Sequence, residues 1–168
     1  KCKVYLIHGD LSSGQMTSLY THPKVKAMVN ISHGEGFGLP MFEAAREGLP
    51  IVTVGWSGQM DFLSKDGEKY FEEVKHTLQP IQQEAVWNGV LEKDANWAFA
   101  DQGSYKMTLR RTYKAYEEAY DRAQQAKKHI EENFNEESLY SNFNNHFFSQ
   151  EEIDNLKEIE DMFKDLND

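Results

Sequence analysis

Cysteine is almost absent from this sequence, since Cys2 is the only one among 168 residues. A single cysteine excludes an internal disulfide framework and is typical of proteins from a reducing compartment. No apolar run in the sequence is long enough to cross a bilayer as a helix. Together these features predict a cytoplasmic protein without a transmembrane segment.

An excess of positive charge is also lacking. The net charge is −10, from 28 acidic and 18 basic residues. Residues 117–168 account for the whole imbalance, with fifteen acids against five bases. Because a nucleic-acid-binding protein needs a basic surface to neutralise phosphates, we exclude nucleic acid as a partner. The acidic C-terminal part is interpreted as a solvated helical surface.

The six histidines do not form a metal-binding pattern. They are scattered along the chain, and no two of them have the spacing of metal ligands on one helix or in one loop. The only cysteine lies far from all of them except His8. We therefore predict no catalytic metal and no bound cofactor.

The first third of the sequence has the pattern of an α/β protein. Apolar, β-branched runs over residues 3–7, 27–32 and 49–55 predict three strands. Between the last two runs, Pro40 suits the first turn of a helix and Gly48 suits its end. A strand–helix–strand unit at this spacing favours neighbouring parallel strands. The sequence therefore predicts an α/β fold with a parallel sheet.

The rest of the chain is predicted to be mostly helical. Residues 69–74 are a candidate strand, and residues 78–103 have the composition of an ordered loop. An apolar stripe at helical spacing predicts one long helix over residues 104–134, followed by a second helix before residue 149. The predicted parts are an α/β part (1–103), C-terminal helices packing on it (104–148) and an acidic amphipathic terminal helix (149–168).

Two serines are predicted to cap helices. Ser12 or Ser13 precedes a short segment that must end near Pro23. Ser149 and Glu152 have the three-residue spacing of a capping box at the start of the terminal helix.

The most informative stretch is the glycine-rich turn, residues 33–38, which leads into the helix at Pro40. The first N–H groups of a helix lack internal partners, and together with the helix dipole they attract anions such as a diphosphate. Gly36 and Gly38 allow the backbone to approach a ligand closely. The turn follows a strand of the predicted parallel sheet, and such sheets bind ligands at the carboxyl ends of their strands.

Two acids flank Gly36 and Gly38 of this turn, Glu35 before them and Glu43 one turn into the helix. Carboxylates repel phosphate, so a turn that binds phosphate alone should not carry two of them. A carboxylate does, however, accept hydrogen bonds from two neighbouring hydroxyl groups. The arrangement therefore predicts a ligand with hydroxylated rings on both sides of a diphosphate, which describes a nucleotide-sugar.

The stretch from Glu35 to Glu43 resembles the acid–seven–acid motif of the retaining GT-B glycosyltransferases of family 4 (glycosyl transferases group 1). The similarity runs from residue 3 to about residue 148. It includes the segments "SHGEGFGLP", "EAAREGLPIV", "SGQMDFLSKDG" and "ANWAFADQGSYKMTLRRTY". Asp61 stands where many members carry Glu, and Ile31 stands where many carry Pro. The resemblance implies a partial Rossmann-like fold, the GT-B C-terminal lobe, with long C-terminal helices.

This resemblance implies transfer of a sugar from a nucleotide-diphosphate sugar to an acceptor hydroxyl with retained configuration. Glu35 is implied as the catalytic residue that contacts hydroxyls of the transferred sugar, and Glu43 as the acid that binds the ribose. The other implied donor-binding residues are Gly36, Phe37, Gly38, Leu39 and Met41 in and after the turn, and Gly9 and Asp10 in a loop beside the nucleobase.

GT-B enzymes have two lobes with the active site between them. The resemblance implies that the N-terminal lobe and the cationic residues for the leaving diphosphate are missing from this sequence. We therefore expect a part of a larger hexosyltransferase that is inactive alone and has an unknown acceptor, whether saccharide, lipid or protein. A sheet edge left open beside residues 27–32 predicts pairing with a second copy.

Two other functional classes stay open. A non-catalytic nucleotide-sugar-binding module would keep the same turn and bind the ligand without turnover. A helical protein-interaction module would instead use the acidic C-terminal helices.

Overall fold

The computed structural model describes residues 2–165, with side chains described as far as residue 159. The chain divides into two compact units between Lys128 and His129. Each unit is described separately below. The predicted bounds at residues 103 and 148 stay a prediction.

The first unit contains the described strands and most of the helices. In chain order the elements that begin in this unit are α1 (Ser13–Tyr20), β1 (Met28–Asn30), α2 (Leu39–Arg46), β2 (Ile51–Val54), α3 (Met60–Leu63), β3 (Ser64–Lys65), β4 (Glu68–Lys69), β5 (Glu72–Val74), β6 (His76–Pro80), a 3-10 turn (Gln83–Ala85), β7 (Asn96–Ala100), α4 (Gln102–Lys114) and α5 (Tyr116–Asn133). The last residues of α5 fall beyond the division.

A small parallel sheet organises this unit. Its strand order is β1-β2-β5, and both pairings are parallel. Val52 of β2 lies between Val29 of β1 and Glu72 of β5 in the register. The mixed α/β class is confirmed, and the fold is consistent with part of a Rossmann-like fold. Because parallel strands end at the same edge, the segments after β1 and β2 meet there.

The hydrophobic core lies around β2, whose four residues are all buried. Val52 and Val54 cluster with Val74 of β5, and partly buried residues of α4 pack against this cluster. On α2, the buried residues are Met41, Ala44 and Ala45. A strand buried on both faces is typical of a parallel sheet, which explains why residues 49–55 are a continuous apolar run in the sequence.

The predicted strand over residues 3–7 is wrong. These residues have no regular secondary structure, and Val4 and Leu6 are 91% and 88% exposed. β-Propensity reflects how well a side chain fits a paired, half-buried surface. No described strand pairs with this segment, so its β-propensity alone does not form a strand.

The predicted loop over residues 78–103 is also wrong in part. An antiparallel hairpin of β6 and β7 starts just before this range, pairing His76 with Ala100 and Pro80 with Asn96. The candidate strand over residues 69–74 is confirmed as β5, which pairs in parallel with β2.

The predicted long helix is divided in two. Ala115, with φ of −115° and ψ of 52°, separates α4 from α5. The break allows Arg111 of α4 and Arg122 of α5 to reach the same carboxylate, that of Glu72 on β5. At the other end of the unit, the predicted cap of α1 is confirmed as Ser12, which forms a capping box with Gln15.

The second unit contains α6 (Glu136–Phe147) and α7 (Gln150–Asp165). Asn135 caps α6 through its side chain, which accepts from the N–H of Ser138. The predicted capping box of α7 is confirmed, because Glu152 accepts from the N–H of Ser149 and Ser149 accepts from the N–H of Glu152. Residues 166–168 of the predicted terminal segment lie outside the described residues.

Candidate functional site

Helix α2 begins directly after the glycine-rich turn. Gly38 precedes the helix with φ of 87° and ψ of 44°, in the left-handed region. A Cβ at this position would lie 3.0 Å from Cε of Met41 and 3.3 Å from Cβ of Gln59. Glycine therefore meets two needs here, a backbone conformation that other residues rarely adopt and a lack of space beside it.

The N–H groups of the turn lack internal partners, and Gly36, Phe37 and Leu39 are exposed whereas Gly38 is buried. The N–H groups of residues 36–39 make no hydrogen bond to the rest of the described chain. The N–H of Met41 donates to Gly38 O at 2.9 Å. Of the two implied donor-binding residues at the helix start, Leu39 and Met41, only Leu39 therefore has an N–H group without an internal partner. These open groups at a helix start carry partial positive charge and suit an anion.

The carboxylate of Glu35 is held on one side only. Its Oε1 accepts from Asn30 Nδ2 at 2.8 Å and from Ser32 Oγ at 2.9 Å. Its Oε2 accepts no hydrogen bond from the described residues. The side chain is half-buried, so one carboxylate oxygen is committed to the protein and the other is available to a ligand.

The backbone of Glu35 is held by the segment after β2. Ser57 Oγ accepts from Glu35 N–H at 3.1 Å and donates to Glu35 O at 2.7 Å, and the N–H of Gly58 donates to the same carbonyl at 3.1 Å. Ser57 has a φ of 80°, in the left-handed region. The two segments at the carboxyl end of the sheet are therefore joined through Glu35.

Phe37 packs beneath the turn. Its ring lies 5.2 Å from that of Phe42 on α2 and 5.1 Å from that of Phe62 on α3. These centroid distances are typical of aromatic pairs, which add to burial about 0.5–1.5 kcal/mol each. The Phe37 ring remains 39% exposed. The ring therefore orients the turn while its amide stays open.

Glu43 lines a cavity between α1 and α2. The cavity has a volume of about 210 Å³. Its lining residues are Leu11, Ser13, Met16, Thr17, Tyr20, Glu43, Arg46 and Glu47. Burial, and secondly the negative charge of Glu43, raise the pKa of Tyr20 above its ordinary value. Glu35 and Glu43 thus lie in different surroundings, one at the end of β1 and the other beside α1.

Replacing Glu43 with glutamine should lower the pKa of Tyr20, because the nearby charge is removed. The pKa should stay above its ordinary value, since burial is the larger cause. NMR titration of ring-labelled tyrosine, assigned with Tyr20→Phe, measures this shift. Glu47→Gln is the matched control from the same cavity and should leave the Tyr20 pKa unchanged. An unaltered Tyr20 pKa in Glu43→Gln would show that this carboxylate does not face Tyr20.

The loop predicted to lie beside the nucleobase reaches the cavity at its end. Gly9 and Asp10 are exposed, whereas the next residue, Leu11, lines the cavity together with Glu43. Gly9 has a φ of 125°, a conformation that favours glycine. In this loop it is therefore Leu11, and not the predicted Gly9 or Asp10, that lies at the same cavity as Glu43.

The hairpin of β6 and β7 is attached to the turn through His33. The imidazole lies parallel to the ring of Trp97, with 4.8 Å between centroids and an angle of 4°. Its Nδ1 lies 2.8 Å from Ala98 O, and Ala98 N–H donates to His33 O at 3.0 Å. A carbonyl only accepts, so Nδ1 carries the proton. Phe99 also contacts the imidazole, at 4.5 Å between centroids.

Sequence reasoning missed three residues that form this site: Asn30, Ser57 and Trp97. Asn30 lies in a predicted strand, and its neighbours in the sequence do not distinguish it from any other polar strand residue. Ser57 and Trp97 lie 22 and 64 positions along the chain from their respective partners, Glu35 and His33. Only the Ser–Gly pair at Ser57 and Gly58, typical of a turn, hinted at an irregular backbone there.

The described residues contain neither a metal-binding cluster nor a helix that could span a membrane. Among them, no group of three or more histidine, cysteine or acidic side chains is placed to hold a metal ion. No helix within the same residues combines the length and apolar character needed to span a bilayer. The absence of a catalytic metal stays a prediction.

Comparisons with known proteins identify the family. A family model described as "Family 4 Glycosyltransferase in conflict systems" matches residues 20–139, well over half of the chain. A search of curated proteins and a search of solved structures each found no match. The matched range includes the glycine-rich turn, Glu35, Glu43 and the hairpin that contacts His33. The chain therefore belongs to the family 4 glycosyltransferases of conflict systems, and its domain is of the glycosyltransferase type.

Proposed function

We propose that the glycine-rich turn binds a nucleotide-diphosphate sugar, and that the chain supplies the donor-binding part of a retaining hexosyltransferase of the GT-B type. The observation that carries this proposal is that the N–H groups of residues 36–39, at the start of a helix and next to Glu35, have no hydrogen-bond partner among the described residues. Family membership supplies the reaction class. The acceptor hydroxyl belongs to a saccharide, lipid or protein.

Each part of the donor has a proposed partner. The N–H group of Leu39 donates to the diphosphate, and those of Phe37 and Gly38 lie on the side of the sugar. Glu35 accepts from sugar hydroxyls through Oε2. Glu43 accepts from the ribose hydroxyls at the cavity that Leu11 also lines.

This arrangement suits glycosyl transfer because of where the charge develops. The bond between the anomeric carbon and the diphosphate oxygen breaks, the acceptor oxygen forms the new bond to that carbon, and the acceptor's proton passes to the leaving diphosphate. Negative charge accumulates on the leaving diphosphate. Fixed N–H donors aimed at such a group stabilise it without reorganisation, which is the largest contribution in many enzymes. The half-buried Glu35 carboxylate meanwhile orients the sugar.

Calorimetry with UDP-glucose and GDP-mannose tests the proposal. The chain should bind at least one of them, and Glu43→Ala should weaken that binding about tenfold, as loss of a charged hydrogen-bond acceptor predicts. Glu118→Ala, a change of the same type on the exposed side of α5, is the control and should bind like the native chain. Absence of binding to both donors at millimolar concentration would contradict the proposal.

A further inference from the structure

The two oxygens of the Glu35 carboxylate differ in their hydrogen bonds. A carboxylate offers about four lone-pair positions, two on each oxygen. The two positions on Oε1 are filled by Asn30 and Ser32. Both positions on Oε2 are open, because no described residue donates to it. The available acceptor therefore matches two neighbouring hydroxyl groups rather than one.

We propose that Asn30 and Ser57 are positioning residues that orient Glu35, so that the unpaired Oε2 faces the transferred sugar. This inference rests on the proposed donor site. Neither positioning residue touches the ligand.

Asn30 orients the carboxylate because its own amide is locked. It is the last residue of β1 and is paired in register with Thr53 of β2. Its Oδ1 accepts from the N–H of Ser32 at 2.8 Å. Since the oxygen of the amide is committed to that N–H, the NH₂ group must face Glu35. The carboxylate is thus attached to the end of a strand of the parallel sheet rather than to a loop.

Ser57 orients the backbone of the same residue at a conformational cost. A φ of 80° is uncommon for a residue other than glycine, and such strain concentrates at functional sites. A glycine would adopt this conformation without strain. It would, however, lack the hydroxyl that bonds both the N–H and the C=O of Glu35. Ser57 therefore has a strained backbone conformation, and its hydroxyl group fixes the backbone of Glu35.

The first experiment compares ligands with and without the sugar. The affinities for UDP-glucose and UDP, and for GDP-mannose and GDP, are measured by calorimetry in the native chain and in Asn30→Ala. Asn30→Ala should lower the affinity for the nucleotide-sugar about tenfold, the effect of one charged hydrogen bond. Affinity for the nucleoside diphosphate alone should not change. Asn142→Ala, at an exposed position on α6, is the control and should change neither.

The second experiment separates positioning from stability. Ser57→Gly removes the hydroxyl and also removes the strain, so its midpoint of unfolding should equal or exceed that of the native chain. Ser57→Ala removes the hydroxyl but keeps the strain, so it should be the less stable of the two. Both should show the same selective loss of nucleotide-sugar affinity. If Ser57 served only the stability of the fold, Ser57→Gly would be at least as stable as the native chain and would bind the nucleotide-sugar equally well.

Two results would overturn the inference, and they are distinguishable. If Asn30→Ala and Ser57→Gly weaken nucleotide-sugar and nucleoside diphosphate equally, or not at all, then neither residue positions the sugar contact and only this inference fails. If the native chain binds neither nucleotide-sugar, the proposed function fails and the inference fails with it.

Discussion

Replacing Gly58 with alanine should displace the glycine-rich turn and abolish donor binding. A Cβ on Gly58 would lie 2.0 Å from Gly36 O, 2.7 Å from the Gly36 carbonyl carbon and 3.0 Å from Glu35 O. These are backbone atoms, so no side-chain rotation relieves the overlap and one of the two segments must move. Overpacking of this kind costs about 1–3 kcal/mol in the free energy of unfolding. Urea denaturation and calorimetry measure the two effects.

Gly36→Ala is the matched control for this experiment. A Cβ on Gly36 meets no atom within 4 Å, so its free energy of unfolding should change by less than about 1 kcal/mol. Donor binding should still weaken, because the added methyl group occupies the space in which a ligand approaches the backbone. If Gly58→Ala keeps native stability and native affinity, the close contact between the two segments does not exist in solution.

Removing both arginines that contact Glu72 should destabilise the fold by about 3–5 kcal/mol, the usual cost of leaving a buried charge unpaired. The Glu72 side chain, at the start of the edge strand β5, is 2% exposed. Arg111 Nη2 lies 2.9 Å from Oε2, and Arg122 Nε lies 2.7 Å from Oε1. Since the whole stability of such a domain is about 5–15 kcal/mol, Arg111→Ala/Arg122→Ala should unfold at much lower urea concentration.

Glu72→Met should be far less harmful than the double arginine variant. The arginine side chains are 58% and 33% exposed, so both remain partly hydrated when the carboxylate is removed. Methionine fills the buried space, and a hydrophobic replacement of a buried ion pair is often neutral. The expected cost is about 1 kcal/mol or less. If Glu72→Met proves more destabilising than the loss of both arginines, burial of the carboxylate is not the dominant cost.

Local signals were sufficient for the helix ends and for the glycine-rich turn. Pro40 and Gly48 mark the limits of α2 because their backbone restrictions act within one helical turn. Ser12 and Ser149 cap their helices for the same reason, since a capping side chain bonds a residue three positions away. The apolar run over residues 49–55 predicted a doubly covered strand, because burial on both faces leaves no alternation.

Local sequence signals gave wrong predictions where the structure depends on pairing between distant residues. Residues 3–7 have a strand-like composition, yet a strand requires a partner, and none of the described strands pairs with them. The hairpin of β6 and β7 contains Pro80 and several polar residues, so its pattern suggested a loop. Cross-strand pairing and the contacts of His33 with Trp97 stabilise it instead. The break at Ala115 allows two arginines to reach one buried carboxylate, an arrangement that no helical periodicity encodes.

The sequence by itself determined the α/β class, the position of α2, its uncapped N-terminus and the acids that flank it. These features depend on interactions between residues a few positions apart, so a short stretch is enough to specify them. Tertiary structure alone decided which oxygen of Glu35 is open, which N–H groups are already used, and that Glu43 lines a cavity with α1. Such details depend on atoms brought together from distant parts of the chain, as when Ser57 contacts Glu35 across 22 positions.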